Sequence, residues 1–92
     1  MAEISIIQLN DTTFQVTLTT QSTTTHKVTL KANYRQKLNA GRMSSIDLIA
    51  FSFKFLLARE SNTSILRSFD LSEIAHYYSE FERELSASAL RY

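Results

Sequence analysis

Ninety-two residues are enough for one compact domain with a modest hydrophobic core. Apolar residues make up 43% of the chain and charged residues 21%, which excludes wholesale disorder, and the net charge of +1 gives no general reason to expect nucleic acid or an anionic membrane as a partner. The absence of cysteine excludes a disulfide framework, thiol catalysis and thiolate metal sites.

The first third of the chain has the pattern of an antiparallel sheet. Residues 3–9 are apolar and β-branched, and Asn10-Asp11 then supplies turn residues. Residues 12–20 and 24–31 each alternate apolar with polar side chains, and a period of two is typical of a half-buried strand. The side chains predicted to face the core are Phe14, Val16, Leu18, His26, Val28 and Leu30. We therefore predict a β-hairpin or three-stranded sheet in this region.

Helical spacing replaces the alternation after residue 32. We predict a short helix over 33–40, with Asn33 and Gln36 as its capping pair and Gly41, the only glycine, as its left-handed C-terminal cap. A longer helix over 45–59 follows, capped by Ser44 or Ser45.

The helix over 45–59 is apolar on two sides. One stripe holds Ile46, Ile49, Ala50, Phe53, Leu56 and Leu57, and the other holds Leu48, Phe51, Phe55 and Ala58. A surface helix normally buries one stripe, so a helix with two must be covered on both sides. Either a third helix of the same chain or a partner covers the second stripe, and the sequence leaves these two alternatives evenly matched.

The last helix is predicted over 71–86. Asp70 and Glu73 form a capping-box pair at its start, and an apolar turn through Ile65, Leu66 and Phe69 precedes it. Its apolar stripe consists of Leu71, Ile74, Tyr78, Phe81 and Leu85. Tyr77 is expected to face outward. Residues 1–92 are thus predicted to form a single α+β domain without a linker.

No constellation of residues points to catalysis. Glu73 and His76 have the spacing of half a di-iron site, with Glu80 one turn further, but all three lie on the predicted polar face. His26 lacks a nearby nucleophile or orienting acid and is interpreted as a strand histidine packed between threonines. One glycine cannot form a glycine-rich phosphate loop. We therefore expect no catalytic, metal or cofactor-binding residues, no cofactor and no enzyme activity.

Residues 24–60 resemble the element order of a ribbon–helix–helix repressor, which is a DNA-binding dimer. In that family paired strands enter the major groove, and the positions matching this role here are Lys27, Thr29 and Lys31. The first helix is short for the family, and the preceding hairpin would occupy the strand edge that a dimer partner needs. DNA binding is therefore the alternative function, and an enzyme of unrecognised type is the second alternative.

Four strings in the chain resemble a family of small bacterial proteins of unassigned function. They are Thr24-Thr-His-Lys-Val28, Phe53-Lys-Phe-Leu-Leu-Ala-Arg-Glu60, Ser64-Ile-Leu and Phe69-Asp-Leu71. The family pattern ends in a segment with a proline that Tyr77-Tyr-Ser-Glu-Phe81 lacks. The resemblance implies a single bacterial α+β domain and no particular activity.

The preferred interpretation is a small non-enzymatic interaction or regulatory module, acting as a homodimer or docking on another protein. Leu48, Phe51 and Phe55 are the predicted interface residues because they lie on the second apolar stripe. The N-terminus lacks a basic region, and the apolar stretch 46–58 is too short for a bilayer, which needs about 20 residues. We therefore expect a cytoplasmic protein that does not bind membranes.

Overall fold

Four strands in one sheet and four helices make up the fold of the computed structural model, which describes residues 2–38 and 43–89. The strands are β1 (Glu3–Gln8), β2 (Thr13–Thr19), β3 (Thr23–Thr29) and β4 (Ser68–Asp70). The helices are α1 (Ala32–Lys37), α2 (Ser45–Leu57), α3 (Glu73–Tyr77) and α4 (Phe81–Ala89), with a 3-10 turn at Asn62–Ser64. The predicted α+β class, with strands first and helices after them, is confirmed. In the described residues no helix is both long enough and apolar enough to cross a membrane.

The sheet has the strand order β1-β2-β3-β4. The first three strands are antiparallel neighbours, and their register places Val16 opposite both Ile6 and His26. Because opposite residues of an antiparallel pair point to the same face, this register collects the alternating apolar residues on one side of the sheet. All six side chains predicted to face the core are buried, which confirms the predicted faces.

The fourth strand differs from the predicted apolar turn around Phe69. It runs parallel to β3 and places Phe69 opposite Val28. The backbone N–H of Lys27 donates to Arg67 O at 2.8 Å, and Leu71 N–H donates to Thr29 O at 2.8 Å. Three residues are too few to show a period of two, and the pairing joins segments about 40 residues apart, so local pattern did not reveal the strand.

The helix starts follow the predictions in part. Ser44 Oγ accepts a hydrogen bond from Asp47 N–H at 3.0 Å, which confirms it as the cap of α2. The predicted Asn33 cap is wrong, because α1 begins at Ala32 and Asn33 Oδ1 accepts from the adjacent Tyr34 N–H. Gly41 and the predicted end of the first helix at residue 40 lie outside the described residues.

The single helix predicted over 71–86 is two helices in the structure. Tyr78, at φ −132° and ψ 94°, is extended and ends α3, and α4 begins at Phe81. The change of direction allows Ile74 to be buried in one helix while Phe81 and Leu85 are buried in the other. A periodic stripe in the sequence cannot reveal such a bend, because both helices keep the same spacing across it.

The core lies on both sides of α2, between the sheet and α4. His26 of β3 and Phe69 of β4 meet the ring of Phe53, with centroids 5.7 Å and 6.0 Å away. On the other side, the ring of Phe81 lies 5.1 Å from Phe55 and 6.4 Å from Phe51. A helix of the same chain therefore covers the second apolar stripe.

Candidate binding groove

An open groove of about 190 Å³ lies where the end of α2, the segment leading into β4, and α3 meet. Its floor is apolar and consists of Leu56, Ile65, Phe69 and Ile74, all of which are nearly buried. Its rim consists of Leu66, Tyr77 and Tyr78, together with the carboxylates of Glu60 and Glu73. We call this feature, with these residues, the binding groove.

The rim exposes two large apolar side chains. Leu66 is 49% exposed and Tyr77 is 71% exposed. Single exposed apolar residues are common, but here two of them border the same apolar depression. Covering both side chains would release free energy, so the groove is a surface suited to binding.

Two carboxylates give the groove its charge. Glu60 Oε2 accepts a hydrogen bond of 2.6 Å from the Tyr78 hydroxyl, and Glu73 Oε2 accepts one of 3.2 Å from Asp70 N–H. The described lining residues include no lysine, arginine or histidine. The hydrogen bond to Glu60 also raises the pKa of Tyr78, so this phenol stays protonated and acts as a donor. The groove is therefore an acidic site with an apolar floor.

Arg59, which precedes Glu60 in the sequence, makes its ion pairs with residues outside the groove lining. Its guanidinium makes ion pairs with Glu80 at 3.4 Å and Glu84 at 3.2 Å, and its Nη1 donates to Phe55 O at 3.0 Å. The same group lies 3.5 Å from the centre of the Phe55 ring. Arg59 thus fastens α4 to the end of α2, and its guanidinium also lies 5.9 Å from the centre of the Tyr78 ring on the groove rim.

A buried polar network holds one wall of the groove against the sheet. Asn62 Nδ2 donates to Ser22 O at 3.0 Å and to Thr24 Oγ1 at 3.1 Å. The ring of His26 then bonds Thr24 Oγ1 through Nε2 at 2.8 Å and Leu66 O through Nδ1 at 2.7 Å. Since the Leu66 side chain forms part of the rim, the network positions the groove as well as stabilising the fold.

The partners of His26 define its protonation. A carbonyl oxygen can only accept, so Nδ1 carries the proton, and Nε2 of the neutral ring accepts from the Thr24 hydroxyl. Burial lowers the pKa of His26 from its usual 6.5, and the positive charge of Arg67 acts in the same direction. His26 is therefore a neutral structural group, as the threonine-packed interpretation of the sequence predicts.

The lowered pKa of His26 makes stability depend on pH. Between pH 6.5 and the lower pKa of the folded state, His26 is protonated in the unfolded chain but stays neutral in the folded chain. The unfolding free energy therefore falls as the pH drops from 6.5 towards the folded pKa. The expected slope from this group is at most about 1.4 kcal/mol for each pH unit. Urea denaturation at several pH values between about 8 and 5 measures it.

The two histidines offer a matched pair of variants for this test. His26→Gln should remove most of the change in unfolding free energy with pH above pH 5. His76→Gln, at an exposed position of α3, should retain that change. A wild-type stability that does not change across this range would contradict the assignment.

The predicted interface residues lie inside the chain. Leu48 and Phe55 are buried, and Phe51 is half-buried against Phe81. Since Phe81 of α4 packs on Phe51 and Phe55, and Leu48 is completely buried, the intramolecular alternative describes the structure.

Two of the residues predicted to read DNA, Lys27 and Thr29, belong to a strand that is paired on both sides, whereas Lys31 lies beyond the end of that strand. β3 lies between β2 and β4, so neither of its edges is open to the strand of a second chain, as ribbon–helix–helix dimerisation requires. Lys27 is exposed, Thr29 is half-buried, and Lys31 lies 3.8 Å from Asp70 in an ion pair. Both strands that lie beside Lys27 and Thr29, β2 and β4, belong to the same chain.

The groove itself is largely a product of tertiary structure. Among the residues singled out in the sequence, Tyr77 is exposed as predicted, and Glu73 lies on the rim, where its carboxylate caps Asp70 N–H. Glu60 and Leu66 were missed as site residues because they lie in an irregular segment and its border. In the described residues, no group of three histidine or acidic side chains is arranged to hold a metal ion.

Comparisons of the chain with models of known families, with curated proteins and with solved structures find no match. The resemblance to a family of small bacterial proteins therefore stays a prediction from the sequence.

Proposed function

We propose that this protein is a small non-enzymatic interaction module and that it docks through the binding groove on a segment of another protein. The observation that supports the proposal best is that exposed apolar side chains and two carboxylates meet at one apolar depression, whose described lining residues include no lysine, arginine or histidine. The partner segment carries an apolar side chain beside a lysine or arginine.

The size of the groove favours a protein side chain as its occupant. Sites for small molecules and cofactors usually enclose about 300–1,000 Å³. A groove of about 190 Å³ that opens to solvent is smaller than this range and suits one or two side chains. This comparison supports peptide docking over cofactor binding or catalysis.

The chemistry of the rim favours a basic partner. An aliphatic stem can lie against Leu56 and Ile74, while its charged end reaches Glu60 or Glu73. The ring of Tyr77 adds a face on which a cation can rest. An acidic segment would instead place like charges together, and such juxtaposition costs several kcal/mol.

Two short acetylated peptides test this proposal, one with a Leu-Lys-Leu core and one with a Leu-Glu-Leu core. Each is titrated into isotope-labelled protein, and amide chemical shifts are followed by NMR. We expect the lysine peptide to move the signals of Leu66, Ile74 and Tyr77, with an affinity that weakens as salt is added. The glutamate peptide should move none of them.

A matched pair of leucine variants controls for nonspecific binding. Leu66→Ser removes a rim side chain, and Leu9→Ser removes a leucine of similar exposure, 47%, that does not line the groove. Only Leu66→Ser should weaken binding of the lysine peptide. Equal binding of both peptides, or shifts confined to other surfaces, would refute the groove as a docking site for basic segments.

A further inference from the structure

In the part of the chain that the structure describes, the outer edge of the sheet at β1 is open. β1 is the first strand in the sheet order, and β2 is its only neighbour among the described strands. Leu9 N–H donates to Thr13 O at 2.9 Å, and the register pairs Ile7 with Gln15. Bonded pairs alternate along an antiparallel ladder, so Ile4, Ile6 and Gln8 turn their backbone N–H and C=O groups away from β2.

This edge lacks the features that normally prevent strands from pairing. Natural edges carry lysine, proline or inward-pointing charges, whereas β1 reads Glu-Ile-Ser-Ile-Ile-Gln and has one charged residue at its start. Ile4 and Ile6 are half-buried at the margin of the core, and Ile7 is 53% exposed on the opposite face. The edge thus combines unpaired backbone groups with apolar side chains that another strand would cover.

We propose that the β1 edge pairs with the β1 edge of a second copy of the chain, in an antiparallel ladder that joins the two sheets. A two-fold axis perpendicular to the sheet keeps the core faces of both copies on the same side. With the axis at Ser5, Ile4 of each copy lies opposite Ile6 of the other, and each pair exchanges both N–H···O bonds. The side chains of Ile4 and Ile6 from the two copies then contact each other at the edge of the core.

The strand is self-complementary in this register, which is why the partner is a second copy. The only charged residue, Glu3, faces Ile7 of the other chain, so no like charges meet. The proposal does not depend on the binding groove, because no residue of β1 lines that groove.

The flank of α2 enlarges the contact. Pairing of six residues alone covers less than the roughly 800 Å² per partner that stable complexes usually bury. One stripe of α2 is still partly exposed to solvent in the single chain, at Ile46, Ala50 and Leu57. α2 packs against β1, and Leu57 borders the same shallow depression as Ala2, just before this strand. Joining the two edges brings this stripe close to its copy.

Lysine substitutions at two positions test the proposed dimer. Ser5→Lys places two positive charges directly opposite each other across the axis, and its side chain is exposed, so the fold should be retained. Ser68→Lys is the matched control, because Ser68 is exposed on the same face of the sheet but at the opposite edge. Sedimentation is measured over a concentration series, and circular dichroism checks the fold of each variant.

We expect wild-type protein and Ser68→Lys to form dimers, and Ser5→Lys to remain a monomer at the same concentrations. Amide hydrogen exchange gives a second measurement. The N–H groups of Ile4, Ile6 and Gln8 should exchange more slowly as the fraction of protein in the dimer rises. In the monomer these three amides should exchange quickly, while Ser5 and Ile7 remain protected by β2. A wild-type monomer at every concentration, a dimer that survives Ser5→Lys, or a dimer without protection of these amides would overturn the proposal.

Discussion

Phe81→Ala is expected to lower the free energy of unfolding by about 3–5 kcal/mol, the usual cost of truncating a buried phenylalanine. Phe81 is completely buried at the start of α4, and its ring contacts both Phe51 and Phe55. Its loss leaves a cavity against α2 and removes the main apolar contact that holds α4 in place. Urea denaturation followed by circular dichroism measures the change.

An aromatic residue on the surface provides the control for Phe81→Ala. Tyr77→Ala removes a ring that is 71% exposed and should change stability by no more than about 0.5 kcal/mol. A loss below about 1 kcal/mol for Phe81→Ala would mean that α4 is not needed to cover the second stripe of α2. The interface interpretation of that stripe would then be open again.

Asn62→Ala is expected to cost about 2–3 kcal/mol. The buried amide of Asn62 donates to Ser22 O and Thr24 Oγ1, and its Oδ1 accepts from the Thr20 hydroxyl at 3.1 Å. Each such bond contributes a net of about 0.5–1.5 kcal/mol, so the loss of all three accounts for the expected cost. Thermal and urea unfolding measure the effect.

The network also predicts how Asn62 couples to its neighbours. Thr63→Ala, at an exposed position in the same 3-10 turn, should change stability little. Combining Asn62→Ala with Thr24→Val should cost less than the sum of the two single variants, because both remove the bond between Asn62 and Thr24. Strictly additive losses would show that the two residues act independently.

The wall of the groove links these stability effects to binding. His26, Thr24 and Asn62 hold the segment that carries Leu66 against β3, so loosening the network should also reduce affinity for the Leu-Lys-Leu peptide. Asn62→Ala is therefore expected to weaken peptide binding even though its side chain does not line the groove. Preorganisation explains the effect, because a mobile rim must lose conformational entropy when it binds.

Periodicity in the sequence was sufficient to predict the parts of the fold that depend on local spacing. The alternation through Phe14, Val16 and Leu18 identified β2 and its buried face, because side chains of a strand alternate between faces. Ser44 was recognised as one of two possible caps because its position before an apolar run matches the geometry of a helix start. The burial of His26 was likewise predicted from its place in an alternating strand.

Long-range contacts decided the features that were missed. β4 exists because Phe69 and its neighbours pair with β3 across about 40 residues, and a segment of three residues has no period of its own. The bend at Tyr78 is accompanied by its bond to Glu60 and by the ion pairs of Arg59 with α4. Neither contact can be read from spacing, since both partners lie about 20 residues apart in the sequence.

Composition and local pattern thus determined the α+β class, the order of the elements from β1 to α2, and the two-sided apolar character of α2. Only the tertiary structure decided that α4 covers Phe55, that Leu66 and Tyr77 border one acidic groove, and that no described strand pairs with the outer edge of β1. The physical reason is that hydrophobic spacing specifies which face of an element must be buried. The element that buries it, and the surface left exposed, depend on how the whole chain packs.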